Sequence, residues 1–345
     1  MASFKLFKRK IEETATTDAA ENAIALKEVA GLSQRQIVFK RFIHHRAAMI
    51  ALFSITLLIL IVSTSLDFKI GPWKIHGWWK YKIDDIPELR YKDCPGGNVG
   101  CPTIKLFPPS LGEHPFGQDD IGRDYLALVM RGAQRSLMVA FIIGILGGSI
   151  GTVIGAISGF NRGIVDAVLM RLTDFVITVP AIIIGSVIGF HYGNFGAGFL
   201  AVYLGLFSWT GLARLVRGEF LKLREMEFVD AARVAGASNR RIIFKHILPN
   251  AVGIIIVSVT LLMSSAILLE TALSYIGFGV VAPDVSLGLL ISTYQDSFTS
   301  RPYLFWWPGF FIIAIALSIN FIGDGLRDAF DPRQRRRVSR KERAR

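Results

Sequence analysis

No Gly-Lys dipeptide occurs anywhere in the chain, so it has no phosphate-cradling loop of the Walker A kind and cannot hydrolyse ATP by that route. Histidine is scarce: His44, His45, His76, His114, His191 and His246 show no metal-ligand spacing, and the adjacent His44 and His45 point to different helix faces. Cysteine is scarcer still. Cys94 and Cys101 are the only two, and without a histidine nearby they make a poor metal site. No Cys/His catalytic arrangement stands out. These absences argue against an enzyme acting within this chain. Acidic residues are outnumbered, 27 against 39 Lys and Arg, for a net charge of +12. In a soluble protein that balance raises nucleic-acid binding, but here the distribution of the charge argues otherwise.

What the chain has in excess is apolar length. Of its 345 residues 52% are hydrophobic, and its mean hydropathy is +0.45, more than one soluble core needs. The apolar residues gather in stretches of about 20, the length that crosses a hydrocarbon core of about 30 Å. Windows at 47–66, 136–160, 167–190, 196–213, 250–275 and 305–324 predict six transmembrane helices. The first follows 46 mostly polar residues, too many for a cleavable signal peptide, and reads as a retained signal-anchor.

Basic residues near span ends stay in the cytoplasm. Residues 1–46 hold nine basic and five acidic residues, residues 214–248 eight and four, and residues 325–345 nine and three. The alternating segments are neutral: nine and nine in 67–134, one and two in 277–304. Both termini are therefore expected inside, and the positive charge is a topology signal. The run Arg335-Arg336-Arg337 reads as a solvated tail, with no chemistry assigned to it. The division that follows is a cytoplasmic N-terminal segment 1–46, a first span 47–66, an extracytoplasmic loop 67–135, a core of five spans over 136–324 containing a hairpin at 214–249, and a basic tail 325–345.

Cys94 and Cys101 fall in the neutral outer loop, joined by Pro-Gly-Gly-Asn-Val-Gly, flexible enough to let them meet. Outside the cytoplasm a disulfide is permitted; free thiols are the other reading, and both are structural. Ahead of the first span, Ser33 and Gln36 have capping-box spacing. The mixed apolar and basic residues that follow suit either a helix in the headgroup region or a plain basic flank.

Charges within spans are costly and usually have a partner or line a polar path. Arg171 and Asp174 stand three apart on one helix face and are expected to pair. Glu270 sits deep in the fifth window, with the hydroxyls of Thr271 and Ser274 one and four residues on. It is expected to line a water-filled cavity in preference to a buried bond, and the three residues are pore or gate candidates.

The segment between spans four and five is about 35 residues long, excessive for a turn between antiparallel helices. Residues 228–235 read as a short helix, Gly236 as its break, Ser238 as the cap of a second helix through Phe244, and Pro249 as the opening of the fifth span. Ala231, Ala232, Ala235 and Gly236 have almost no side chain, and Arg233, Arg240, Arg241 and Lys245 surround them. Such a knob suits close docking to a cytosolic partner.

The pattern Asp230-Ala231-Ala232-x3-Gly236-x9-His246-Ile247-Leu248-Pro249 resembles the EAA motif of ABC importer permeases, with Asp in place of Glu and His in place of Ile, as is common in its peptide-importer branch. Residues 114–124, His-Pro-Phe-Gly-Gln-Asp-Asp-Ile-Gly-Arg-Asp, resemble a signature of the second, C-type permease of dipeptide, oligopeptide and nickel importers. Residues 270–279 and 323–332 agree, so the resemblance covers about 35–333. The outer segment 69–108, with Trp73, Trp78, Trp79 and both cysteines, is longer than the family leads one to expect.

The resemblance implies an all-α membrane protein of the type I importer fold in a bacterial cytoplasmic membrane. It implies a non-catalytic permease pairing with a homologous permease to form the pore, fed by an extracytoplasmic binding protein. Asp230, Ala231, Ala232, Gly236, Arg240 and Pro249 would form the coupling helix seated on one or two ATPase subunits, which would hold the ATP and Mg. Peptides are the favoured substrate, nickel or another small solute the alternative. From other classes, a stand-alone secondary transporter and a scaffold or receptor subunit are the competing readings, and binding to a soluble ATPase discriminates them.

Overall fold

The computed structural model describes residues 34–70, 73–87, 100–104 and 112–330. Ser33, Cys94 and the tail beyond Phe330, with Arg335, Arg336 and Arg337, lie outside the described residues.

The chain divides into two compact units. One comprises residues 1–46 and 328–345. Its described part is α1 (Gln34–His44) and the end of the last helix; the Arg41 guanidinium donates to the Ala329 carbonyl at 3.4 Å, and His45 lies 3.5 Å from Asp328.

The other unit, residues 47–327, holds the spans. Five helical stretches are long and apolar enough to cross a bilayer. They are α2 (Arg46–Ser65), α3 (Tyr125–Asn161), α6 with α7 (Ala197–Phe207, Thr210–Arg224), α9 through α10 (Asn239–Arg241, Leu248–Tyr275), and α12 (Tyr303–Phe330). A sixth crossing is a broken pair, α4 (Gly163–Thr178) and α5 (Ala181–Tyr192), bent by 69°. The break has a local cause. Pro180 lacks an N–H and forces Val179 out of the helical region, to φ −87° and ψ 119°. Short helices α8 (Glu227–Val234) and α11 (Leu287–Tyr294) complete the set.

The second span begins at Tyr125, well before the predicted 136, because Asp124 caps it: its carboxylate accepts the Ala127 N–H at 2.8 Å. At 37 residues α3 is about 55 Å long, the axis of the unit. It carries glycine every fourth residue at 147, 151, 155 and 159. A Cβ on Gly155 would lie 2.5 Å from the Ala213 carbonyl oxygen, and one on Gly159 2.7 Å from that of Arg217. Small residues here let α3 and α7 meet backbone to backbone, where in lipid only close packing holds helices together.

The core gathers in apolar clusters, of which two bear on the site. One joins Tyr125, Leu128, Ile267, Leu287, Leu304 and Ile315; the other joins Phe160, Val216, Phe220, Val229, Ile242 and Ile247. Among the described residues the predicted all-helical architecture has one small exception, an antiparallel pair of three-residue strands, Phe68–Ile70 and Trp73–Ile75, with Phe68 opposite Ile75.

Candidate functional site

The hairpin folds as an amphipathic helix and a tight reversal. On α8, Val229 and Ala232 turn inward against the cluster around Phe220, while Val234 is 91% exposed. Ala232, expected at the docking face, is thus a packing residue; Asp230, Ala231, Gly236, Arg240 and Pro249 are exposed. Asp230 lies 3.1 Å from Arg233 on the same face.

At the helix end Gly236 N–H donates to the Arg233 carbonyl at 2.9 Å and Ala237 N–H to that of Ala232 at 3.0 Å, a Schellman ending with its left-handed residue at Gly236, φ +77°. Nothing lies within 4 Å of where a Gly236 Cβ would stand. Ser238 then caps the next turn, accepting from Arg241 N–H at 3.4 Å.

The second helix does not stop before the fifth span as predicted. It runs through a π-helical turn, Ile242–Ile247, where Leu248 N–H reaches back to the Ile243 carbonyl, straight into α10. Pro249 explains the wide turn: it has no N–H to give, and its ring needs room beside the carbonyl four residues earlier.

Glu270 does not face a cavity. It is fully buried, accepting from Ser136 Oγ at 3.0 Å and Ser274 Oγ at 2.8 Å. Ser274 also meets Ser286 Oγ at 3.3 Å, and Ser286 caps α11 by accepting from Leu289 N–H at 3.1 Å. One carboxyl therefore ties α3, α10 and α11, with no cation at ion-pair distance among the described residues. The sequence hides this because Ser136 comes from a distant span. Thr271 stands apart: its hydroxyl is buried without a hydrogen-bond partner.

Arg171 and Asp174 do not pair. Asp174 takes Arg214 of α7 at 2.5 Å, and about two turns earlier on α4 Asp166 takes Arg217 by two bonds of 2.6 and 2.7 Å. A neighbouring helix supplies both arginines, and the Asp166–Arg217 pair is bidentate. Gly147-Gly148-Ser149-Ile150-Gly151 spells a Gly-x-Ser-x-Gly pattern, but it lies inside α3, and a nucleophile elbow needs a strand-to-helix turn. Cys101 is disulfide-bonded; Cys94 lies outside the described residues.

The 114–124 segment folds around two buried carboxylates, Asp119 and Asp124. Buried Asp124, besides capping α3, holds His114 Nδ1 at 2.7 Å and Trp79 Nε1 at 2.8 Å. Asp119 takes Arg123 Nε at 2.6 Å and the Tyr294 hydroxyl at 3.0 Å. Burial and the Asp119 carboxylate push the Tyr294 phenol above its ordinary value, so it stays a donor. Asp119 and Asp124 organise this face, yet their letters alone single neither out from a loop rich in carboxylates.

Residues 151–336 match the family described as binding-protein-dependent transport system inner membrane component. The oligopeptide transport system permease protein OppC of Mycobacterium tuberculosis strain H37Rv is 36% identical over 304 residues, 88% of this chain and 96% of that protein. Its namesake in Haemophilus influenzae is 34% identical, covering 89% and 91%. A putative peptide permease of Brucella ovis is 37% identical, covering 85% and 89%. Among solved structures, an inward-facing MetNI methionine ABC transporter matches with a TM-score of 0.50 at 19% identity, over 59% of this chain and 96% of that one, a likeness of fold. With more than half its length matched and relatives aligned nearly end to end, the chain belongs to the inner-membrane permease components of binding-protein-dependent ABC importers.

Proposed function

We propose that this chain is the C-type permease of a peptide importer, pairing with a homologous permease so that the pore forms between them. The relatives named as oligopeptide and peptide permeases support the substrate class. ATP and Mg belong to one or two cytosolic ATPase subunits, and peptide arrives on an extracytoplasmic binding protein. Both termini and the 214–249 hairpin face the cytoplasm, and Cys101 pairs with Cys94 on the oxidising side. Asp230, Ala231, Gly236, Arg240 and Pro249 form the face that meets the ATPase, with Ala232 holding that face to the core. Glu270 and Ser274 belong to the gate as part of the junction of three helices, with Thr271 beside them on α10 and outside the bonded network.

The observation that carries this reading is the hairpin tip, where an apolar side chain, Val234, is 91% exposed beside exposed Arg233, Arg240 and Arg241 and an unobstructed Gly236. A side chain this exposed beside an open glycine bend leaves the tip sterically free for another protein surface to approach closely. The test is to tag the chain, extract it gently from its native membrane and identify what co-purifies. An ATP-binding cassette protein, a second permease and a binding protein are expected, with the ATPase lost from a Gly236→Trp variant. Recovery of a transport-competent chain alone, indifferent to that substitution, would sink the proposal.

A further inference from the structure

Between α2, α3, α10 and α12 lies a groove of about 660 Å3, the size of sites that hold small ligands. Apart from Thr260 of α10, its polar side chains are Ser63 of α2 and Arg131, Gln134 and Arg135 of α3, toward one end. That end adjoins the 67–124 segment, outside on the orientation proposed above. Deeper in, the walls are Ile55, Phe141, Ile319 and Ile322. Phe141 follows Arg131 by ten residues, about 15 Å of helix rise, which is half of a hydrocarbon core of about 30 Å. The groove has the depth of one leaflet.

Its mouth is cationic. Arg135 is neutralised by Asp284 at 2.8 Å, and Gln134 donates to the Val62 carbonyl at 2.7 Å. Arg131 gives one bond, from Nη1 to Gln134 Oε1 at 3.3 Å, while its Nε is buried with no hydrogen-bond partner. No carboxylate lies at ion-pair distance from it among the described residues. Asp67 and Asp84 line the adjoining outer hollow, but Lys80 and Lys82 stand with them. A guanidinium without a carboxylate partner at the rim of an apolar slot suits an anionic oxygen on an apolar tail. We propose that the groove holds an acyl chain of an outer-leaflet glycerophospholipid whose phosphate accepts from Arg131.

The test uses the permease purified with the subunits it assembles with. It is reconstituted in nanodiscs of phosphatidylglycerol and phosphatidylethanolamine, moved to detergent, washed, and its lipid counted by native mass spectrometry. One phospholipid per copy of this chain should survive washing. Arg131→Gln should lower that retention about tenfold, the worth of a charge-assisted bond. Ser63→Trp, at an exposed position in the mouth, should abolish it with elution and melting unchanged. Equal retention in folded variants overturns the proposal. Independently, p-benzoylphenylalanine at Phe141, a side chain 56% exposed, is irradiated in the assembled complex. An adduct to phospholipid supports the proposal; an adduct to a partner subunit, or none to lipid, overturns it. Neither readout depends on what the transporter carries.

Discussion

Gly236 has a left-handed backbone and open space around it, whereas Gly155 has a helical backbone and none. The difference separates two kinds of experiment. Gly236→Ala should lower stability by about 1 kcal/mol through backbone strain, and in the isolated chain Gly236→Trp should do no more. In the assembled transporter the two should diverge, Ala weakening and Trp abolishing ATPase retention in a pull-down; equal behaviour would mean that no partner approaches the bend. Glu270 is the other residue on which much depends. Glu270→Ala strips the bond acceptor from two buried hydroxyls, Ser136 and Ser274, and should destabilise the chain by about 3 kcal/mol, read as a lower melting midpoint in detergent. Glu270→Gln, which retains an oxygen, should lose less.

Among the elements, α3 organises the rest, and its glycines decide how closely α7 approaches. Gly155→Val drives a branched side chain into the Ala213 carbonyl and should destabilise by about 3 kcal/mol, whereas Gly218→Ala, on α7 with nothing within 4 Å of its Cβ, should be nearly neutral. Thermal melts of the two variants side by side check this. The four-residue glycine repeat is present in the letters, but apolar windows do not register it because they count glycine as neutral. The spans were legible for the same reason that they are stable: about 20 apolar residues cannot stay in water. The reversal at Gly236 was legible too, since only one residue type sits there without strain. What the letters hide are pairings across distance. Asp174 finds Arg214 and Glu270 finds Ser136, and no spacing rule connects residues on different helices. The π turn before Pro249 was half visible: proline announced a disturbance in the helix but not its form.

For the whole molecule, the proposed orientation makes opposite demands on two exposed sites. In a background with Cys94 and Cys101 replaced by Ser, Val234→Cys should react with a membrane-impermeant maleimide only in inside-out vesicles. Ile121→Cys, at a position 52% exposed, should react only in intact right-side-out cells. Reversed labelling would overturn the orientation. The unbroken helical run from Asn239 to Tyr275, 37 residues, joins the hairpin to the depth of the span with no loop between them. At 1.5 Å per residue that is a rod of about 55 Å. As a lever pivoting at either end, such a rod moves its far tip by about 1 Å for every degree of tilt. A rotation of a few degrees at the hairpin, too small to disturb the packing around Val229, would therefore displace the helix turn bearing Glu270, about 46 Å along the rod, by about 2 Å, enough to break its hydrogen bonds.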